Sequence, residues 1–163
     1  MLNHPRTARE EVLGPLLIYV PGAGRESRVW AGVRGLVCVG LLAVAAALVP
    51  DPSGVGTHTQ LGVPACRMMV LWGVPCPTCG MTTAFAHTVR GHWAAALHTQ
   101  PAGFLAALAT AVGAGVSAAT VVTGRRWVVN WYRLPPGRVA VVVVAVVLLA
   151  WAYRIGVTLW ASW

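Results

Sequence analysis

Three stretches of the chain are apolar for about the length that a lipid bilayer demands. They run roughly from Trp30 to Val49, from Pro101 to Thr123 and from Val139 to Trp160. About 20 apolar residues in a helix cross the ~30 Å hydrocarbon layer, so each stretch predicts a membrane span. The first closes at Pro50-Asp51-Pro52-Ser53-Gly54, where Pro and Gly stop a helix. The second opens on Pro101, a residue suited to the first turn. Arg34 lies near the start of the first span and is placed to snorkel to the interface. Trp151, Trp160 and Trp163 suit one interfacial belt; Trp127, Trp131 and Tyr132 suit the other. In the second span Gly103, Ala107, Ala111, Gly115 and Ala119 recur every four residues. That spacing makes a small-residue face, open to a second copy or to another membrane protein.

Between the first two spans the pattern changes. Residues 50–100 mix short apolar runs with Pro, Gly, Thr and His. Polar and apolar residues alternate at helical spacing from Pro77 to about Val89, and again after Gly91 until Pro101. Both pieces predict helix, the second leading into the span. The piece Met68 to Trp72 is too short to cross a membrane and predicts a segment at the interface or dipping in under a cover of protein. Residues 1–28 carry charges of both signs, with a short apolar patch from Val12 to Val20 broken by Pro15. They read as a cytoplasmic tail rather than a signal peptide, which wants a basic start and a longer apolar core.

Composition sharpens this picture. Charged residues make up 10% and hydrophobic ones 57%, whereas soluble domains carry about 25% charged residues. Lipid is therefore the expected solvent. The net charge of +8 does not indicate nucleic acid, because the twelve basic residues, all Arg, sit between apolar runs rather than in one basic stripe. Their distribution gives an orientation instead. Arg6, Arg9, Arg25, Arg28 and Arg34 flank the first span, and Arg125, Arg126, Arg133 and Arg138 precede the third. The long loop between has only Arg67 and Arg90. By the positive-inside rule the N-terminus is cytoplasmic, while the loop and the C-terminus lie outside. Asp51 is then the one acidic residue on the outer side, and Arg154 is an ionisable residue inside a span. An Asp51–Arg154 pair and an Arg154 that simply snorkels to headgroup water are equally compatible with the sequence.

The candidate chemistry lies in the loop. Cys38 sits in an apolar run and behaves there as a small hydrophobe. Cys66, Cys76 and Cys79 share residues 50–100. On a helix beginning near Pro77, Cys79, Thr83, His87 and Arg90 fall on one face, and Cys76 precedes the first turn, where free N–H groups favour a thiolate. Three readings stay open. Two cysteines form a structural disulfide in an oxidising compartment while the third packs. Alternatively, Cys76 and Cys79 exchange disulfides. In the third reading Cys66, Cys76 and Cys79 hold zinc or another thiolate-bound metal, with one of His58, His87, His92 or His98 as fourth ligand. Taken singly, each histidine is more often an interfacial or packing residue than a ligand.

Cys66, nine residues, and then Cys-Pro-Thr-Cys-Gly-Met-Thr-Thr-Ala-Phe-Ala-His from Cys76 to His87 resemble a bacterial family of small membrane proteins, the domain-of-unknown-function family numbered twenty-seven fifty-two. The resemblance extends over roughly Pro50 to Trp160. It takes in Asp51-Pro52 with Gly56-Thr57-His58, Arg90-Gly91-His92-Trp93, Gln100-Pro101-Ala102-Gly103 and Trp151-Ala152-Tyr153-Arg154. It marks Asp51, Gly80, Thr82, Arg90, Gly91, Pro101 and Arg154 as motif positions. Two residues depart from the family pattern: Thr83 stands where many members have Arg, and Gln100 where Asn is commoner. The resemblance implies a location in the bacterial inner membrane and brings no reaction with it.

The expected architecture is an all-α membrane protein of three spans with a partly helical, motif-bearing loop on the outer face. No carboxylate pair, nucleophile triad or phosphate-binding glycine loop is present, and one outer acidic residue leaves little for acid–base work. No catalytic residue is assigned. The expected function is that of a non-enzymatic accessory or interaction component with a structural Cys loop. The alternative is a protein that handles thiols or metal through Cys76 and Cys79.

Overall fold

The computed structural model describes residues 17–20, 22, 24–129 and 135–160. Three long helices dominate it: α1 (Arg25–Ala47), α5 (Pro101–Thr123) and α6 (Pro136–Trp160). All three are long and apolar enough to span a membrane. Three shorter helices lie between the first two, α2 (Arg67–Trp72), α3 (Met81–Val89) and α4 (Trp93–Thr99), together with a 3-10 turn at Thr57–Leu61. The rest of the regular structure is a four-residue antiparallel ribbon, β1 (Leu17–Val20) against β2 (Arg126–Val129). The ribbon ties the segment before α1 to the segment after α5 at one end of the bundle. The six-helix remainder is the all-helical membrane architecture expected, and Trp131, Tyr132 and Trp163 lie outside the described residues.

Small side chains let α1 and α5 approach. A Cβ added to Gly35 would sit 3.2 Å from the Ser117 Cβ, and one added to Gly113 would sit 3.5 Å from the Cys38 Sγ. Cys38 thus packs in the helix interface, as its apolar surroundings indicated. Arg34 Nε donates to Ser117 Oγ at 3.0 Å. The Arg34 Nε therefore bonds within the helix pair, and α1 starts at Arg25, five residues earlier than the apolar run suggested, which puts Arg34 further inside the helix. The four-residue ridge of α5 also divides. Gly103 and Ala107 are buried, whereas Ala111, Gly115 and Ala119 are exposed. The face turned to α1 includes Gly113, Ser117 and Gly35's neighbours instead, since 3.6 residues per turn carries a strict four-residue row gradually round the helix.

The long helix α6 is held differently. Of its described residues only Ala150 and Arg154 are buried, both in its second half. Helix α2 has no buried residue, with Val70, Leu71 and Trp72 well exposed. It is not covered by protein, and its uncovered apolar face suits the membrane surface.

Candidate thiol centre

The segment 50–100 folds as a layer at the end of the bundle opposite the ribbon. Helix α3 begins at Met81, later than its pattern suggested. Residues 76–80 form tight turns before it, with Cys79 N–H donating to the Cys76 carbonyl (3.0 Å) and Met81 N–H to the Thr78 carbonyl (3.1 Å). Gly80 caps the helix at φ +84°, a left-handed conformation favouring glycine. A Cβ there would also lie 2.8 Å from the Gly54 carbonyl oxygen. Cys76 therefore stands five residues ahead of α3 rather than just before its first turn.

These turns aim the sulfurs at one another. Cys76 Sγ and Cys79 Sγ are 3.2 Å apart, and Cys76 Sγ is 3.3 Å from Thr78 Oγ1. Cys66, from the start of α2, joins them, so that all three Sγ atoms lie within 4.8 Å of one another. The three environments differ. The Met69 backbone N–H holds the Cys66 thiol down at about 7, with the Cys79 and Cys76 sulfurs and the Cys76 backbone adding to this against the opposing effect of burial. Burial pushes Cys79 up to about 12, and hydrogen bonds with Cys76 and Cys66 act in the same sense. The cluster thus joins a readily ionised, half-exposed sulfur to a buried protonated one. An ionised thiol is the form of cysteine that attacks electrophiles and binds metals.

Among the described residues, the groups that gather to metal-binding distance are these three cysteines. The histidines lie apart from them. His58 Nε2 donates to the Pro64 carbonyl at 3.3 Å. His87 faces His92, with ring centroids 5.9 Å apart, and its buried Nδ1 has no partner. Burial, then the nearby His92 and Arg90 charges, lowers the pKa of His87. His98 meets Tyr153 edge to face at 6.3 Å.

The other motif positions build the layer. Arg90 donates to the carbonyls of Ala45 (3.2 Å), Ala46 (2.8 Å) and Leu48 (2.6 Å) at the end of α1, and to Ala86 (2.7 Å). It thereby satisfies carbonyls that a helix end leaves without partners and places a cation at the negative pole. Gln100, fully buried, caps α5 ahead of Pro101 and donates from Nε2 to the Pro77 carbonyl at 2.9 Å. Thr57 and Thr83 share a buried hydrogen bond of 2.8 Å. Thr82 lines an apolar recess with Leu41, Leu48 and Phe85, and Gly91 makes the turn between α3 and α4 at φ +75°. Asp51 Oδ1 accepts from the Ser53 N–H and hydroxyl, which hold its carboxyl below the usual range.

Besides the Tyr153 ring against His98, helix α6 reaches this layer through two side chains that donate to loop carbonyls. Trp151 Nε1 donates to the Pro75 carbonyl at 2.8 Å, and Arg154 donates to the Ser53 carbonyl at 3.1 Å. Arg154 is 7% exposed. Its head is buried in the layer on a loop carbonyl rather than on the Asp51 carboxylate, and its Nε is buried without a partner. Pro75 directly precedes Cys76, so one of these contacts bears on the thiol loop itself. Spacing alone gave no sign of it.

Residues 66–114 match the profile of a family described as "Protein of unknown function (DUF2752)". The matched segment contains all three clustered cysteines, α3, α4 and the first half of α5. Comparison with curated proteins and with solved structures finds no match.

Proposed function

We propose that this small multi-pass membrane protein serves as a non-enzymatic, thiol-handling component whose Cys66, Cys76 and Cys79 act as one chemical unit. The reading places it in the bacterial inner membrane with residues 1–28 in the cytoplasm and the cysteine layer outside. The observation that carries it is the arrival of Cys66, ten residues before Cys76 in sequence, within 4.8 Å of both other sulfurs. A C-x-x-C pair can arise from a local turn alone; a third sulfur from a separate helix start cannot. A purely structural disulfide is the weaker reading, because Gln100, Arg90, Trp151 and Arg154 already tie the layer to three long helices. Lipid surrounds the spans, and the exposed Ala111, Gly115 and Ala119 face of α5 would receive a second copy or another membrane protein.

Thiol labelling tests the reading. A membrane-impermeant maleimide on intact cells should modify Cys66 first, with half-maximal rate near pH 7, and should spare Cys79. Below that pH the Cys66 sulfur is protonated and slow; above it the thiolate reacts. Labelling only after permeabilisation would reverse the orientation. Equal reactivity of the three cysteines in the folded protein would remove the claim that they form one unit.

A further inference from the structure

We infer that Cys66, Cys76 and Cys79 together bind one thiophilic d10 cation of the zinc(II) class through three sulfurs, leaving its fourth coordination position open to an external ligand. This inference rests on the three-sulfur reading above and names the occupant of that unit.

Distance is the first argument. Zinc–sulfur bonds of about 2.3 Å in a tetrahedron set sulfurs about 3.8 Å apart. Cys76 and Cys79 are 3.2 Å apart, and no pair in the cluster exceeds 4.8 Å. Shifts of under about an ångström, within the swing of a cysteine side chain, equalise the three edges around one ion. A disulfide, by contrast, engages two sulfurs and leaves the third without a role.

The ligand set is the second. Structural zinc sites are closed by four protein ligands, whereas sites with three keep a position for water or a substrate. Among the described residues no histidine or carboxylate joins the three sulfurs. His58 is engaged with Pro64, and His87 faces His92. Cys79 is buried while Cys66 and Cys76 are partly open, so the open position faces the side from which a ligand arrives.

The backbone is the third. Thiolates bound to a cation need N–H donors to orient them, and the backbone N–H groups of Met69 and Cys76 lie against the Cys66 sulfur, that of Cys76 against Cys79 as well. Each thiol that ligates releases its proton to solvent, so binding is accompanied by proton release and weakens in acid.

Cobalt(II), a coloured stand-in for zinc, provides the test on the reduced full-length protein in detergent. One equivalent per chain should bind with thiolate charge-transfer bands and intense visible bands of tetrahedral coordination, and zinc should displace it. Added imidazole should shift the visible bands, as an open position requires. C66S, C76S and C79S should each weaken binding at least ~10–100-fold, while C38S, H58A and H87A should bind as the wild type does. Loss of binding in H58A or H87A comparable to that in the cysteine variants overturns the open position, as does a spectrum unmoved by imidazole. Absence of binding in a protein whose three thiols still label as a unit overturns the metal site and leaves the thiol reading standing. If any cysteine variant fails to fold, wild type alkylated at Cys66 replaces it in the titration. Undiminished binding after that alkylation also overturns the inference.

Discussion

Two parts of the molecule, both helical, hold together by different means. The α1–α5 pair meets through Gly35, Gly113, Ser117 and Cys38, small groups that bring two backbones close. The layer of residues 50–100 is fastened by long polar side chains that end on backbone carbonyls: Arg90 on the end of α1, Gln100 on Pro77, Trp151 on Pro75 and Arg154 on Ser53. In lipid there is no hydrophobic drive between apolar helices, so the spans rely on close packing. The layer contains turns whose carbonyls need partners, and side chains supply them. Close packing resists added volume, while carbonyl capping resists loss of a donor. Each part should therefore fail to a different kind of substitution.

The largest effect is expected where one donor serves most carbonyls. R90A removes the Arg90 donor from the part-buried Ala45 and Leu48 carbonyls and the more exposed Ala46 carbonyl, and each acceptor left buried and unsatisfied costs about 1–3 kcal/mol. The variant should lose about 3 kcal/mol or more, read as a fall in Tm in detergent. R90K should recover only part of it, since an ammonium is a point donor without the planar fork of guanidinium. Full stability in R90A would show that packing alone secures the layer.

Next is the seam between the two parts. A Cβ on Gly103 would meet the Ala84 Cβ at 2.9 Å and the Met81 Cα at 3.1 Å. Overpacking of this kind costs about 1–3 kcal/mol, so G103A should lower Tm by more than alanine at exposed Gly115, which meets no atom within 4 Å. Equal effects at the two glycines would mean that α3 does not seat on α5 so closely. A smaller change follows from W151F, which removes one neutral hydrogen bond worth about 0.5–1.5 kcal/mol. Its signature is local: hydrogen exchange should rise in α6 and at the Cys76, Thr78 and Cys79 amides while α1 and α5 keep their protection. Uniform loosening would show α6 to be part of the same packed unit as the other spans.

How far the sequence revealed these arrangements depends on the range of the interaction. The spans were legible because about 20 apolar residues in a row have no other good solvent, and α5 began and ended where the apolar run did. The short helices α3 and α4 could be read from spacing, although α3 starts four residues later than its pattern suggested, at Met81, after Gly80, whose left-handed conformation ends the preceding turn. The long polar links were not legible. Nothing local to Arg90 names the α1 carbonyls, and nothing local to Trp151 names Pro75. Cys66 could be proposed as a companion of Cys76 and Cys79 from shared chemistry, but its approach depends on how α2 sits, which no periodicity encodes. The ribbon escaped notice because two four-residue strands far apart in sequence become strands only by meeting each other.

The smallest expected effect concerns Asp51, at the edge of the layer. The Ser53 hydroxyl and N–H bond its carboxylate and lower its pKa from 3.8. A carboxyl lowered on folding adds stability above its unfolded value and gives that stability up as pH falls through the lower, folded value. The contribution is therefore complete at neutral pH and disappears below about pH 4. Because the group is only partly buried and its bonds to Ser53 lie at the surface, the change is slight and local. It should appear as faster exchange of the Ser53 and Gly54 amides in acid, with Tm barely altered. D51N should show that faster exchange at neutral pH and no further change on acidification. A wild-type loop whose exchange is indifferent to pH between 5 and 3, after correction for intrinsic rates, would show that the Thr57 hydroxyl, which accepts from the Asp51 N–H at 2.9 Å, orders this turn without the carboxylate.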